Sequence, residues 1–146
     1  MPSLTLDLAR EGAVVTMHIG VSRPRRDALI AAQLPIPNPV PIRVMIDTGA
    51  YVTCIDPAHL APLGITPSGV CDVLTPSTGS MPVRLNQFDV GITILLSNEK
   101  THLLPTLPVI ESDLSGHGID GLLGRDVLAQ GLFIYHGETS TFTLAF

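Results

Sequence analysis

The residues most able to do chemistry are Asp47, Thr48 and Gly49, which close the apolar run Pro41–Ile46. An apolar run that ends in a Gly-containing turn is typical of a buried strand that presents a carboxylate at its end. Two such carboxylates facing each other can share one proton, so that one acts as a base toward water while the other acts as an acid. The chain contains Asp-Thr-Gly once. Paired chemistry at Asp47 therefore requires a second chain, and otherwise the tripeptide is only a turn.

Each residue of the tripeptide suits this chemistry for a separate physical reason. Asp47 would lie at a rigid backbone position, which two negative groups held close together require. The Thr48 hydroxyl can hydrogen-bond the backbone of the opposing loop and lock the two halves. Gly49 has no Cβ, so the backbone can approach both the opposing loop and a substrate. We interpret Asp47 as a candidate catalytic residue, and Thr48, Gly49 and Ala50 as residues that support its loop.

A second motif, Leu122-Leu123-Gly124-Arg125-Asp126, follows about 75 residues later. Together with Val44–Ala50 and Val52-Thr53, it resembles the retropepsin-like aspartic protease family of retroviral proteases, Ddi-type cellular proteins and related bacterial proteins. In that family, two apolar residues followed by glycine precede a helix and brace the catalytic loop. The resemblance assigns this supporting role to Gly124 and Arg125.

The resemblance implies a fold, an assembly and an activity. The fold is an all-β, retropepsin-like closed β-barrel-type domain over 1–146, with a flap hairpin at about 70–90 and one short C-terminal helix. Two chains would form a homodimer in which each donates one Asp47, and the dimer would hydrolyse peptide or protein substrates as an aspartic endopeptidase. Val52 and Leu122 would contact the substrate. The flap residues expected to cover it are Thr75, Pro76, Ser77, Thr78, Gly79, Ser80 and Met81.

Two other interpretations of the same residues stay open. A non-catalytic, retropepsin-like dimer would keep the fold and use the groove to bind peptide or to present partners. A small β domain with an incidental Asp-Thr-Gly would have neither role, and we would expect it to be a monomer.

The side chains around the second motif raise a separate question. Retroviral members often carry an acidic residue at the position of Tyr51, where it pairs with the arginine near the helix. Arg125 therefore requires a different partner, or else it is a surface charge. We interpret Asp120 and Asp126 as turn or cap residues rather than as further catalytic acids.

Strand signals dominate the remaining chain, in which thirteen Gly and thirteen Pro leave little room for long helices. Arg10–Gly12 predicts a turn that joins Ser3–Leu8 and Ala13–Val21 into a hairpin. The Pro-rich stretch Arg23–Pro39 predicts a long loop that contains the solvated basic cluster Arg23–Arg26. Other predicted elements are the strands Pro41–Asp47, Tyr51–Ile55, Val70–Leu74, Pro82–Asp89, Ile92–Leu96 and His102–Leu107, a helical turn at 56–62 capped by Asp56, the helix Gly124–Gln130, and a closing hairpin of Leu132–His136 and Thr141–Phe146.

Composition limits the partners. A net charge of −5 disfavours nucleic acid, whereas 45% hydrophobic and 14% charged residues favour self-association. No apolar run reaches the roughly 18 residues of a membrane span, and no basic segment precedes an apolar stretch at the N-terminus, so we expect no membrane partner, no signal peptide and a cytoplasmic location. The cysteines and histidines lack metal-ligand spacing, so we expect no metal and no organic cofactor.

Overall fold

The computed structural model of the chain describes residues 1–75 and 79–146. Three of the predicted flap residues, Pro76, Ser77 and Thr78, lie outside this part of the chain. The strands within it are β1 (Ser3–Asp7), β2 (Val14–Val21), β3 (Val40–Ile46), β4 (Cys54–Ile55), β5 (Gly69–Val73), β6 (Val83–Leu95), β7 (Thr101–Glu111), β8 (Gly121–Leu123), β9 (Leu132–His136) and β10 (Thr141–Ala145). The α-helices are α1 (Arg23–Ala31), α2 (Pro57–Leu60) and α3 (Arg125–Leu128), and single 3-10 turns cover Ala61–Leu63 and Ser97–Glu99.

Six strands close into a barrel in the order β2-β3-β8-β4-β7-β6, because β2 also pairs with β6. The apolar residues of β2 alternate, so that Val15, Met17 and Ile19 point inward and are at most 1% exposed. Val90, Ile92 and Ile94 of β6 do the same. β5 pairs antiparallel with β6 outside the closed ring, and the two strands form the hairpin that contains the predicted flap. The predicted all-β architecture is therefore confirmed.

The N-terminal strand pairs differently from the prediction. A tight turn does form between Ala9 and Gly12, but β1 is hydrogen-bonded to β10 and not to β2. β2 is already bonded to β3 on one edge and to β6 on the other. β1 instead lies beside β10, in a register that sets Leu4 beside Leu144 and Leu6 beside Phe142. The predicted closing hairpin of β9 and β10 is confirmed as the rest of this three-stranded sheet.

The prediction of a long loop over 23–39 is also wrong, since its first part is α1. Pro24 occupies the first helical turn, where its missing N–H disrupts no hydrogen bond. Leu29 is 6% exposed and anchors the helix to the body of the protein. α3 is shorter than predicted, ending at Leu128. No helix in residues 1–75 and 79–146 is long and apolar enough to cross a bilayer.

Candidate active site

The backbone of its own loop orients the Asp47 carboxylate at the end of β3. The Asp47 N–H donates to the Leu123 carbonyl of the neighbouring parallel strand at 3.0 Å. The Gly49 N–H donates to Asp47 Oδ1 at 2.9 Å, and the Ala50 N–H donates to the Asp47 carbonyl at 3.1 Å. The half-buried carboxylate is thus held on a hydrogen-bonded turn, as the tripeptide predicts.

The tip of this loop faces outward. Thr48 and Gly49 are exposed, and the Thr48 side chain makes no hydrogen bond with the described residues of this chain. A Cβ on Gly49 would lie 3.1 Å from Asp47 Oδ1, so any larger residue would press on the carboxylate. An exposed tip with a free hydroxyl is the geometry that a second chain would need in order to approach.

Gly124 braces the loop by close backbone contact. Its φ of −88° and ψ of −178° are available to any residue, so its conformation does not require glycine. The requirement is steric, because an added Cβ would lie 2.6 Å from the Val52 carbonyl carbon and 2.9 Å from the Thr53 nitrogen. Arg125 also supports the loop, since its backbone N–H donates to the Ala50 carbonyl at 2.9 Å.

A buried hydrogen-bond network, which the sequence predictions missed, stabilises the contact between Gly124 and the Val52–Thr53 backbone. Thr53 is 0% exposed, and its hydroxyl donates to Asp126 Oδ1 at 2.8 Å while accepting the Gly124 N–H at 3.1 Å. The Thr53 N–H donates to Asp126 Oδ2 at 3.0 Å. The sequence signals were present, because Thr53 and Asp126 both belong to the two motifs. Their side chains face each other only after the motifs pack together.

Arg125 lies against Tyr51. The guanidinium carbon lies 5.7 Å from the centroid of the Tyr51 ring, within the range of a cation–π contact. Arg125 thus contacts an aromatic ring at the position where the sequence resemblance led us to look for an acidic partner.

A cavity of about 420 Å³ opens beside the carboxylate. Of the predicted site residues, Asp47, Gly49, Ala50, Val52, Thr75 and Leu122 line it, together with mainly apolar neighbours such as Leu85 and Ile110. Gly79, Ser80 and Met81 are exposed and lie outside its lining. Cavities of about 460 and 450 Å³ flank α1, but neither contains a residue of the two motifs. The cavity at Asp47 thus combines volume with a positioned carboxylate from the first motif.

The architecture matches a solved structure across nearly its whole length. The crystal structure of a retropepsin-like aspartic protease from Rickettsia conorii aligns with a TM-score of 0.60 and 16% sequence identity, over 99% of this chain and 90% of that one. This chain has a retropepsin-like fold. The retroviral protease-like domain of Ddi1 from Leishmania major aligns over 90% of this chain and 88% of its own, with a TM-score of 0.45 and 12% identity. No protein-family model and no curated protein matches the sequence.

Within this retropepsin-like fold, a thiol lies close to the carboxylate. Cys54 lines the same cavity as Asp47, and its Sγ donates weakly to the Val52 carbonyl at 3.7 Å. Burial raises the pKa of the Cys54 thiol to about 11, with further contributions from the negative charges of Asp126 and Asp47. The thiol therefore stays neutral near pH 7 and is a poor nucleophile.

Asp120, which lies just before the second motif, has a structural role in the retropepsin-like fold. Asp120 Oδ2 accepts the Arg43 N–H at 2.8 Å, and Asp120 Oδ1 lies 3.0 Å from His59 Nε2. Both contacts lie away from the Asp47 cavity. Across residues 1–75 and 79–146, no three His, Cys, Asp or Glu side chains are grouped in a way that could hold a metal ion.

Proposed function

We propose that the protein is an aspartic endopeptidase that acts as a homodimer and hydrolyses peptide bonds through a water molecule activated by two Asp47 carboxylates. One observation carries the proposal: Asp47 is oriented by its own loop at the mouth of a mainly apolar 420 Å³ cavity. The retropepsin-like fold supports it, because a structural neighbour of this fold is a retropepsin-like aspartic protease. The single Asp-Thr-Gly makes the second chain a chemical requirement.

The proposed reaction uses the carboxylate pair as base and acid in turn. Two carboxylates in close contact cannot both ionise readily, so the pair would hold one proton. The ionised Asp47 takes a proton from water as the water oxygen attacks the scissile carbonyl carbon. The protonated Asp47 of the other chain gives its proton to the carbonyl oxygen. As the tetrahedral intermediate collapses, the C–N bond breaks and the Asp47 that took the proton from water gives it to the departing amine. The other Asp47 regains a proton from a hydroxyl group of the intermediate, which becomes the carbonyl of the acid product.

The structure of one chain supports this assembly at two points. Asp47 Oδ1 accepts the Gly49 N–H, and Oδ2 accepts no hydrogen bond from the described residues, so one oxygen is available for water or for the opposing carboxylate. Thr48 is exposed beside it and can reach a partner loop. An extended peptide would lie in the groove between the body of the protein and the β5–β6 hairpin, where backbone pairing can hold it.

A subunit-mixing experiment tests both parts of the proposal. Wild-type protein is mixed with increasing Asp47→Asn protein at fixed total concentration, and cleavage of a peptide library is followed by mass spectrometry. Because only dimers of two wild-type chains hold both carboxylates, we expect activity to fall with the square of the wild-type fraction. Asp27→Asn, at an exposed position of α1 that does not line the Asp47 cavity, is the matched control and should leave activity unchanged.

The outcomes separate the alternatives. Full activity of folded Asp47→Asn protein would refute the chemistry. A linear loss of activity on mixing would refute the shared site. Wild-type protein that binds library peptides tightly but cleaves none would instead support the non-catalytic peptide-binding dimer.

A further inference from the structure

We infer that Tyr51 and Arg125 form a subsite that binds the carboxylate of an acidic residue in the peptide substrate. The inference rests on the proposed function, since it concerns the groove that Asp47 serves. It assigns a substrate class to that groove: peptides with an apolar side chain near the scissile bond and a Glu or Asp at a neighbouring position.

The first observation is that the positively charged Arg125 guanidinium has no acidic partner among the described residues. It makes no ion pair and no side-chain hydrogen bond with the residues of 1–75 and 79–146. The adjacent acid, Asp126, is not its partner, because both Asp126 oxygens accept hydrogen bonds from Thr53. Arg43 differs, since its guanidinium contacts Glu11 and the Gly118 carbonyl. None of the donors of the Arg125 guanidinium is therefore used by the described part of the chain.

The second observation is that this guanidinium lies over an aromatic ring. Its centre lies 5.7 Å from the Tyr51 ring centroid, and its own backbone N–H is fixed to the Ala50 carbonyl at 2.9 Å. A planar guanidinium resting on a ring keeps its edge free for a bidentate carboxylate contact. Less conformational freedom is lost on binding when the donor group is already positioned.

The third observation is that Tyr51 links the guanidinium, which does not itself line the cavity, to the candidate active site. Tyr51 is 77% exposed and lines the cavity that contains Asp47. Val52, Ile110 and Leu122 present apolar surface to the same cavity. A peptide side chain near Asp47 would therefore meet an apolar wall, whereas a side chain that reaches Tyr51 would approach the charge of Arg125.

Matched peptides that differ only in charge test the inference. A peptide that the wild-type protein cleaves is prepared with Glu or Gln at each position flanking the scissile bond, and kcat/KM is measured for each pair. We expect Glu to exceed Gln by about tenfold at one position, and high salt should reduce that ratio. Arg125→Gln should bring the ratio close to one, and Arg125→Lys should leave an intermediate ratio, because lysine keeps the charge without the planar fork.

The Gln peptide separates recognition from a structural role. If Arg125 only supports the loop, Arg125→Gln lowers kcat/KM for both peptides equally, which would overturn the inference. Equal wild-type rates for Glu and Gln at every position would overturn it as well, while leaving the proposed endopeptidase intact. Arg25→Gln removes an exposed arginine of α1 that does not line the Asp47 cavity, and this control should preserve the wild-type ratio.

If the wild-type protein cleaves no peptide, the proposed activity is refuted but the inference about the subsite is not. Binding measurements then test the subsite. Fluorescence anisotropy of labelled Glu and Gln peptides with Asp47→Asn protein then gives the same comparison. Tighter binding of the Glu peptide that disappears in the Asp47→Asn, Arg125→Gln double variant supports the subsite. Equal binding of both peptides refutes it.

Discussion

Replacing Gly124 by alanine should displace the segment that supports the Asp47 loop. The added Cβ would lie 2.6 Å from the Val52 carbonyl carbon, whereas carbon atoms in good contact are about 3.5–4.0 Å apart. The overlap of about 1 Å is with backbone atoms, so no side-chain rotation can relieve it. Either the Val52–Thr53 segment or the β8–α3 junction must therefore move.

The cost can be worked out from the contacts involved. Overpacking of this kind costs about 1–3 kcal/mol. The displacement would also weaken the hydrogen bond from the Gly124 N–H to Thr53 Oγ1 and that from the Arg125 N–H to the Ala50 carbonyl, each worth about 1 kcal/mol. We therefore expect Gly124→Ala to lower the free energy of unfolding by about 3–5 kcal/mol, which corresponds to a fall in Tm of about 10 °C for a chain of this size.

Urea unfolding at one fixed protein concentration measures this loss, because a dimer's stability depends on concentration. The matched control is Gly20→Ala on β2, where an added Cβ meets no atom within 4 Å and the change should stay within about 1 kcal/mol. A shift of about 1 Å at the Asp47 loop should also lower kcat/KM roughly 100-fold. Equal urea midpoints for Gly124→Ala and Gly20→Ala would refute the bracing role of Gly124.

Two further predictions concern the network behind the loop and the thiol beside it. Thr53→Val removes the buried hydroxyl group but keeps the shape of the side chain, so it should lower the free energy of unfolding by about 1–3 kcal/mol. The double change with Asp126→Asn should cost less than the sum of the two single changes, because both residues belong to one network. Strictly additive losses in urea unfolding would contradict a shared network. The pKa of the Cys54 thiol is raised from 9.0 to about 11 in the native state, so the unfolded thiol ionises at a lower pH than the native one. The free energy of unfolding should accordingly fall by about 1–2 kcal/mol as pH rises from about 9 to about 11. Urea unfolding of Cys54→Ala protein should show a shallower decline over that range. Parallel pH profiles of stability for the wild-type and Cys54→Ala proteins would contradict this contribution.

Predictions that depended on neighbouring residues agree with the structure. Asp56 caps α2 by accepting the Ala58 N–H at 2.9 Å, as Asp before Pro at a helix start predicts. The Asp47 turn follows its strand, and β9 and β10 form the closing hairpin. In each case the deciding interactions lie within a few residues, so that residue type and spacing specify them.

Predictions that needed a choice between distant partners were less successful. Leu4 and Leu6 suit any strand edge with matching apolar residues, and nothing near β1 in the sequence indicates that β2 has both its edges occupied. The prolines and arginines of 23–39 are typical of a loop, whereas the burial of Leu29 holds the first part of this stretch in place as α1. The partner of a strand or a helix depends on which edges and surfaces remain free once the barrel has closed.

The sequence by itself determined that a carboxylate stands on a glycine turn after a buried strand and that a second motif would support it. From the single copy per chain, it also predicted a site shared by two chains. Only the tertiary structure decided how the two motifs meet. It set Gly124 against the Val52 backbone, joined Thr53 to Asp126, placed the Arg125 guanidinium on the Tyr51 ring and brought Cys54 into the Asp47 cavity. The physical reason is the parallel pairing of β3 with β8, which brings together residues about 75 positions apart. Side-chain contacts between residues so far apart leave no local pattern in the sequence.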